Sequence, residues 1–328
     1  MLKERRLGNS GMLVSAIGLG CMGMSEGYGP SHDPTSRETL ERAHELGVTF
    51  LDTADTYGDG HNERFLGGFL REHPRVKVAT KFGMIRGAAG SIVGVDNSPD
   101  YIVQACEASL KRLRVETIDL YYAHRIERGR PIEETVESMA GLVRAGKVRS
   151  LGLCEVSEST LRRAHAVHPI AAVQSEYSLW TRDPERSILR ACRELDIAFV
   201  AYSPLGRGML TGTIGHETRF ADNDFRRIAP RFQGENFDCN LRLVETLSRL
   251  ALQRQCTPGQ LALAWLLAQG TQIIPIPGTR RAVYLEENVK SAEIVLSDAN
   301  LAAIQSALPS GSVAGARYPE AAMTRLDG

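Results

Sequence analysis

The sequence predicts an α/β chain folded as a (β/α)8 TIM barrel, with an N-terminal β-hairpin and long loops on the C-terminal face. Three observations carry this expectation. Eight strand-like apolar segments alternate with helix-like segments along the 328 residues, which argues for parallel strands joined by crossovers. No linker or change of composition divides the chain, so residues 1–328 are expected to form one barrel domain. Asp52, Tyr57, Lys81 and His124 fall at or just beyond the ends of three successive predicted strands. In a parallel barrel the strand C-termini share one face, where reactive side chains gather. On pattern alone, an open doubly wound sheet meets the same alternation.

The elements follow in order. Residues 2–14 carry Gly8-Asn9-Ser10-Gly11 between short β-like pieces and read as a hairpin. Residues 15–20 are a short apolar strand. Residues 35–46 place Leu40, Ala43 and Leu46 at helical spacing before the stop at Gly47. A strand at 48–52, a helix at 62–72 and a strand at 76–81 lead into a Gly- and Ala-rich loop, 83–94. A helix at 100–113 and a strand at 117–122 come next. The helix at 132–145 has acidic residues early and Arg144 late, matching its dipole. Strands at 148–153, 171–175 and 197–202 alternate with helices at 158–166 and 184–194. The stretch 203–239, rich in Gly, Arg and Asp, is long enough that a site beneath it is expected. Helices at 241–253 and 259–267, a last strand at 272–275 and a helix at 281–290 close the count.

Bulk properties exclude several function classes. Lys plus Arg and Asp plus Glu are both 39, so neither nucleic acid nor an anionic membrane is an expected partner. No apolar run approaches the roughly 18 residues of a membrane span. The charged start, Met1-Leu-Lys-Glu-Arg-Arg-Leu7, lacks a signal-peptide core. The six cysteines form no C-x-x-C pair, which fits reduced thiols and a cytoplasmic location. The eight histidines show no ligand spacing, so no metal is expected. Oligomeric state is open.

Gly18-Leu-Gly20-Cys-Met-Gly23 matches the dinucleotide fingerprint G-x-G-x-x-G, which requires a helix to open at the motif. Here Met24-Ser-Glu-Gly-Tyr-Gly-Pro30 follows and cannot start one. The glycines read instead as a strand-end loop whose backbone lies close to a ligand, leaving a Rossmann-type dehydrogenase as a minor alternative.

Singly, each of the four polar residues has a structural reading. Tyr57 fits a half-buried aromatic, Asp52 (like Asp55) a capping residue, Lys81 a surface charge and His124 a satisfied buried histidine. Together they suit carbonyl reduction. An ammonium beside a phenol favours the phenolate, so Lys81, held by Asp52, is expected to acidify Tyr57. Tyr57 then serves as general acid, and His124 orients the substrate oxygen. The hydride must come from a cofactor.

At these residues the chain closely resembles the aldo-keto reductase superfamily. The likeness includes Leu7-Gly-Asn-Ser-Gly-Met-Leu-Val-Ser15, Gly20-Cys-Met-Gly-Met24, Leu51-Asp-Thr-Ala-Asp-Thr-Tyr-Gly58 and Thr80-Lys-Phe-Gly83. It continues through Ser109-Leu-Lys-Arg-Leu113, Ile118-Asp-Leu-Tyr-Tyr122 and Gly146-Lys-Val-Arg149 to Tyr202-Ser-Pro-Leu-Gly-Arg-Gly208 and Ile276-Pro-Gly-Thr-Arg280. The pattern looks most like the branch that includes pyridoxal and perakine reductases.

The resemblance implies a barrel that binds extended NADPH without a Rossmann motif. Its proton-relay tetrad corresponds to Asp52, Tyr57, Lys81 and His124. The resemblance puts Gln174 on the nicotinamide carboxamide and Tyr202 against the nicotinamide ring. The resemblance also makes Gly20, Met22, Asp52 and Cys154 cofactor contacts, Cys154 beside the nicotinamide amide. Ser203, Leu205, Gly206 and Leu210 correspond to the pyrophosphate loop, and Gly278, Thr279, Arg280, Tyr284 and Asn288 to the 2′-phosphate region. Arg280 favours NADPH over NADH because guanidinium matches phosphate geometry.

Departures from the family pattern include Cys154, where Ser is common, which implies an altered cofactor grip and a thiol sensitive to oxidation. Glu155 stands where many relatives have Asn, and Tyr284 where a second Arg or Gln is frequent. The implied function is NADPH-dependent reduction of small-molecule aldehydes or ketones; the alternative is an NADP(H)-binding redox-sensing module with slow turnover. Pocket walls are expected from residues 22–30, 82–97, 125–130 and 203–239, with Trp180 as either lid or packing aromatic.

Overall fold

The computed structural model describes residues 2–87 and 90–327. An antiparallel hairpin comes first, β1 (Glu4–Arg6) with β2 (Leu13–Ser15). Then strand and helix alternate: β3 (Leu19–Gly20), α1 (Asp33–Glu45), β4 (Phe50–Asp52), α2 (His61–Glu72) and β5 (Lys77–Phe82). A second hairpin, β6 (Met84–Arg86) and β7 (Ile92–Val95), precedes α3 (Pro99–Leu113) and β8 (Ile118–Ala123). The alternation resumes with α4 (Ile132–Arg144), β9 (Val148–Cys154), α5 (Glu158–Val167), β10 (Ile170–Glu176), α6 (Ile188–Glu194) and β11 (Ala198–Tyr202). It ends with α7 (Gly234–Leu252), α8 (Pro258–Ala268), β12 (Ile273–Pro275), α9 (Ala282–Lys290), α10 (Asp298–Ala307) and α11 (Glu320–Met323).

The parallel strands pair in the order β3-β4-β5-β8-β9-β10-β11-β12. A parallel bridge between Gly20 and Gly278, with Gly18 N donating to Pro275 O at 3.0 Å, joins the first strand to the last. The sheet is therefore a closed (β/α)8 barrel, and the open-sheet alternative falls. Closure explains the strand composition, because each strand is covered on both faces. Every residue of β8 and β10 is buried. Phe50, Leu120, Tyr122, Val200 and Ile274 fill the interior, while Leu51, Tyr121, Leu153 and Phe199 pack under the helices. Gly152 makes room inside, since a Cβ there would meet the Tyr122 ring at 2.4 Å.

The N-terminal hairpin covers the end where strands begin. Asn9 Nδ2 donates to Ile170 O at 3.0 Å, and Arg5 donates to Leu267 O and Gly270 O, each at 2.8 Å. The opposite face is left to the loops after the strands.

Four expectations are corrected. The strand expected at 15–20 contracts to Leu19–Gly20, because Ser15 belongs to the hairpin. The loop expected at 83–94 contains β6 and β7; Ala88 and Ala89 lie outside the described residues. Helix α7 begins at Gly234, inside the expected long loop, the rest of which holds three 3-10 turns. Beyond residue 290 the chain adds α10 and α11. No described helix is long and apolar enough to cross a membrane.

Candidate active site

Strand register assembles the four polar residues. Asp52 ends β4, Lys81 is the penultimate residue of β5, and His124 directly follows β8. Lys81 pairs in register with Tyr122, so β5 and β8 deliver their ends at one level. Tyr57 lies on the turn after β4, fixed by its N–H on Ala54 O at 3.2 Å and by Asn62 N–H on its carbonyl at 3.2 Å.

The side chains converge. Lys81 Nζ donates to Asp52 Oδ1 at 2.5 Å and Thr53 O at 2.7 Å, and lies 3.4 Å from the Tyr57 hydroxyl. The Tyr57 and His124 rings meet edge to face with centroids 6.0 Å apart. Gln174 Nε2 donates to Asp52 Oδ2 at 2.6 Å, tying the group to β10.

Burial governs the electrostatics. Burial pulls the Lys81 ammonium down, but Asp52, Tyr57 and Cys154 together outweigh it and hold the group above its usual value. Burial raises the Asp52 carboxyl more than Lys81 and Gln174 lower it. For Tyr57 the expected sign is corrected. Burial pushes the phenol up, and Lys81, itself offset by Asp52, only partly reverses this. Tyr57 is thus a phenol that stays protonated at neutral pH, next to a cation that stabilises the anion left after proton loss.

Burial, then Lys81 and Arg125, hold His124 well below its usual value, so its imidazole is neutral. A histidine with a depressed folded-state value binds a proton on unfolding. Stability is therefore expected to fall as pH drops below about 6.5. Urea denaturation between pH 7.5 and 5.5 checks this, because His124→Gln should flatten the slope relative to wild type. An unchanged slope refutes the assignment.

Around this core, β9 and β10 present Cys154 and Gln174 as register partners. Burial pushes the Cys154 thiol up to about 12, so the reactive thiolate is suppressed. The expectation of an oxidation-sensitive thiol is corrected accordingly. Glu155, in the left-handed region at φ 51°, is pinned by Ser175 Oγ at 3.0 Å, Glu176 N at 2.9 Å and Arg317 Nη2 at 2.6 Å.

Sequence reasoning missed Arg317 and Tyr318, which come from the C-terminal segment. Tyr318 hydroxyl meets Tyr202 hydroxyl at 2.7 Å, and Arg317 Nη2 donates to the same Tyr202 oxygen at 3.1 Å. Ser157 N donates to Asp327 Oδ2 at 3.1 Å, fastening the end of the tail near Glu155. Trp180 is buried against Phe232 and is a packing aromatic, not a lid; a Cβ on Gly206 would lie 2.3 Å from its ring.

The remaining cofactor candidates lie along the rim from β11 to β3. Ser203 adopts φ 47°, and Leu205, Gly206 and Leu210 form a tight turn in which Gly206 N donates to Ser203 O at 2.9 Å. Leu210 and Asn288 are buried and Tyr284 is exposed. Gly20 and Gly278 approach so closely that a Cβ on Gly20 would sit 2.9 Å from Ile276 O, which leaves a smooth backbone rim. Met22 opens a three-residue 3-10 turn, and α1 starts only at Asp33, so the dinucleotide fingerprint has no helix to serve it. Thr279 caps Arg281 N at 3.1 Å. Arg280 donates to Tyr28 O at 3.0 Å and is held below its usual value by burial, then by Arg281 and Arg226. Cations crowded in this way favour an anion between them. This donor set fits a phosphate, and the amide of Gln174 with the π-face of Tyr202 fits a flat amide-bearing ring.

A closed barrel with ionisable groups gathered at its strand C-termini has the layout of a barrel enzyme. Residues 16–309 match the family model described as aldo/keto reductase family. The chain is 46% identical to the Schizosaccharomyces pombe protein named aldo-keto reductase yakc (NADP(+)), covering 99% of this chain and 97% of that one. It superposes with TM-score 0.85 on the glycerol dehydrogenase AKR11B4 of Gluconobacter oxydans, at 30% identity over 93% and 94% of the two chains. With the aldo-keto reductase AKR11C1 of Bacillus halodurans (holo form) the TM-score is 0.79, at 26% identity over 98% and 99%. The protein belongs to the aldo/keto reductase family.

Proposed function

We propose that the protein reduces a small aldehyde or ketone to the alcohol, with Tyr57 as general acid and NADPH as hydride donor. The observation that carries this reading is the Tyr57 hydroxyl 3.4 Å from the buried Lys81 ammonium, which is itself 2.5 Å from Asp52. When bound, NADPH supplies a hydride to the carbonyl carbon. Tyr57 gives its proton to the carbonyl oxygen as the C=O π bond breaks, so a C–H and an O–H bond form. Lys81 stabilises the phenolate left behind, and Asp52 holds Lys81 in place. Neutral His124 adds no competing charge and orients the oxygen. Gln174 and Tyr202 would hold the nicotinamide, with Cys154 and Met22 beside it. The turn from Ser203 to Leu210 would hold the pyrophosphate, and Arg280, with Thr279, Tyr284 and Asn288, would receive the 2′-phosphate.

A panel of aldehydes, ketones and pyridoxal assayed with NADPH and NADH tests the reading. Arg280→Met is expected to weaken NADPH binding roughly tenfold or more while barely changing NADH, because it removes a charge-assisted phosphate contact. Equal weakening of both cofactors defeats the placement of Arg280. No oxidation of either cofactor with any carbonyl defeats the reductase assignment.

A further inference from the structure

Around Tyr202 and Tyr318, arginines outnumber carboxylates. Beside Tyr202 and Tyr318 lie Arg125, Arg207 and Arg317, with Arg231 next to them. The carboxylates among these groups are Glu155 and Glu176. Arg317 takes Glu155 at 2.6 Å, and Glu176 serves Arg207 at 3.1 Å and Arg231 at 3.4 Å. Among the described residues no carboxylate lies within 4.0 Å of Arg125.

Arg125 follows His124 directly, and its Nη1 donates to the His124 carbonyl at 2.7 Å. That bond uses one of the guanidinium's five N–H donors. The others find no acceptor among the described residues, yet neither unpartnered nitrogen is sealed from solvent as the Nε of Arg317 is. The side chain is half-buried, and the groups it faces electrostatically are Tyr202, Tyr318, Glu155 and Cys154. Arg125 is therefore a half-buried cation with no ion-pair partner among the described residues, next to His124 and near Tyr202 and Tyr318. It follows the fourth barrel strand, whereas the residues proposed for the cofactor's phosphates follow the seventh and the eighth.

We propose that the carbonyl substrate carries an anionic group, a carboxylate or a phosphate, received by Arg125. This rests on the reductase reading and narrows its substrate class. The anion binds by charge-assisted hydrogen bonds that a neutral substrate of the same shape lacks.

The test compares 4-carboxybenzaldehyde with its neutral counterpart methyl 4-formylbenzoate, both with saturating NADPH. Wild type is expected to favour the acid by roughly tenfold or more in kcat/KM, chiefly through KM. In Arg125→Met the ratio should collapse to about one, with kcat for the ester within about threefold of wild type and NADPH affinity unchanged. Arg125→Lys should restore part of the preference. Should Arg125→Met fail to fold, wild type still decides, because added salt should raise KM for the acid and leave the ester alone. A ratio near one in wild type overturns the proposal. So does a preference that survives Arg125→Met, or an equal loss of kcat for both substrates, which would make Arg125 only a support for His124. Weaker NADPH binding with unchanged discrimination also overturns it, giving the cation to the cofactor. No turnover of either aldehyde by wild type would instead refute the reductase reading beneath it.

Discussion

Tyr57→Phe is expected to lower kcat roughly 100- to 10,000-fold, the range of a lost general acid, with NADPH affinity unchanged. The substitution removes one oxygen and leaves the ring against His124, so packing is preserved. Burial keeps the hydroxyl protonated, which suits a donor whose proton must be present when hydride arrives. In the proposed mechanism Lys81 stabilises the phenolate as it forms. Single-turnover kinetics with a fluorescence titration of NADPH separates the two quantities. A variant that turns over as fast as wild type ends the assignment of Tyr57, and one that loses cofactor binding equally means the ring's position was disturbed.

Lys81→Met is expected to lose both activity and stability. Lys81 and Asp52 are buried, and Met leaves the carboxylate without its cation. Breaking a buried pair from one side costs about 3–5 kcal/mol. The cost is pH-dependent. Asp52 already titrates above its usual value, and without Lys81 it rises further. A carboxyl raised on folding penalises the folded state above its unfolded value near 3.9 and is relieved as pH falls toward it. The variant should therefore recover relative to wild type between pH 7 and pH 5. Asp52→Asn in the Lys81→Met background should recover stability at pH 7 without recovering activity. If the double variant is no more stable than Lys81→Met at pH 7, the stranded charge is not the cause.

Much of this was legible in the sequence for local reasons. Asp52, Lys81 and His124 each close a run of apolar strand residues, so position along the strand told their face of the barrel. Tyr57 follows Asp52 in a turn too short to carry it elsewhere. The tail contacts were not legible, because Tyr202 and Tyr318 stand 116 residues apart and Glu155 and Arg317 stand 162 apart. Nothing local selects such partners; the path of the tail does. Gly234 has a positive φ of 46° and its first turn lacks an apolar period, so the start of α7 read as loop. The glycines around Ile92 hid the second hairpin in the same way. The sign of the Tyr57 shift failed for a different reason. The cation beside the phenol was visible, whereas the depth of burial that outweighs it belongs to the folded barrel.

Arg317 and Tyr318 grip Tyr202 from a segment that lies well beyond the last barrel strand in the chain. A polypeptide cut before residue 317 would keep every barrel strand, yet Tyr202 would lack its outer support and Glu155 its counter-ion. Proteolytic trimming of that segment would thus act on the surroundings of Tyr202 and Glu155 without removing a single barrel strand.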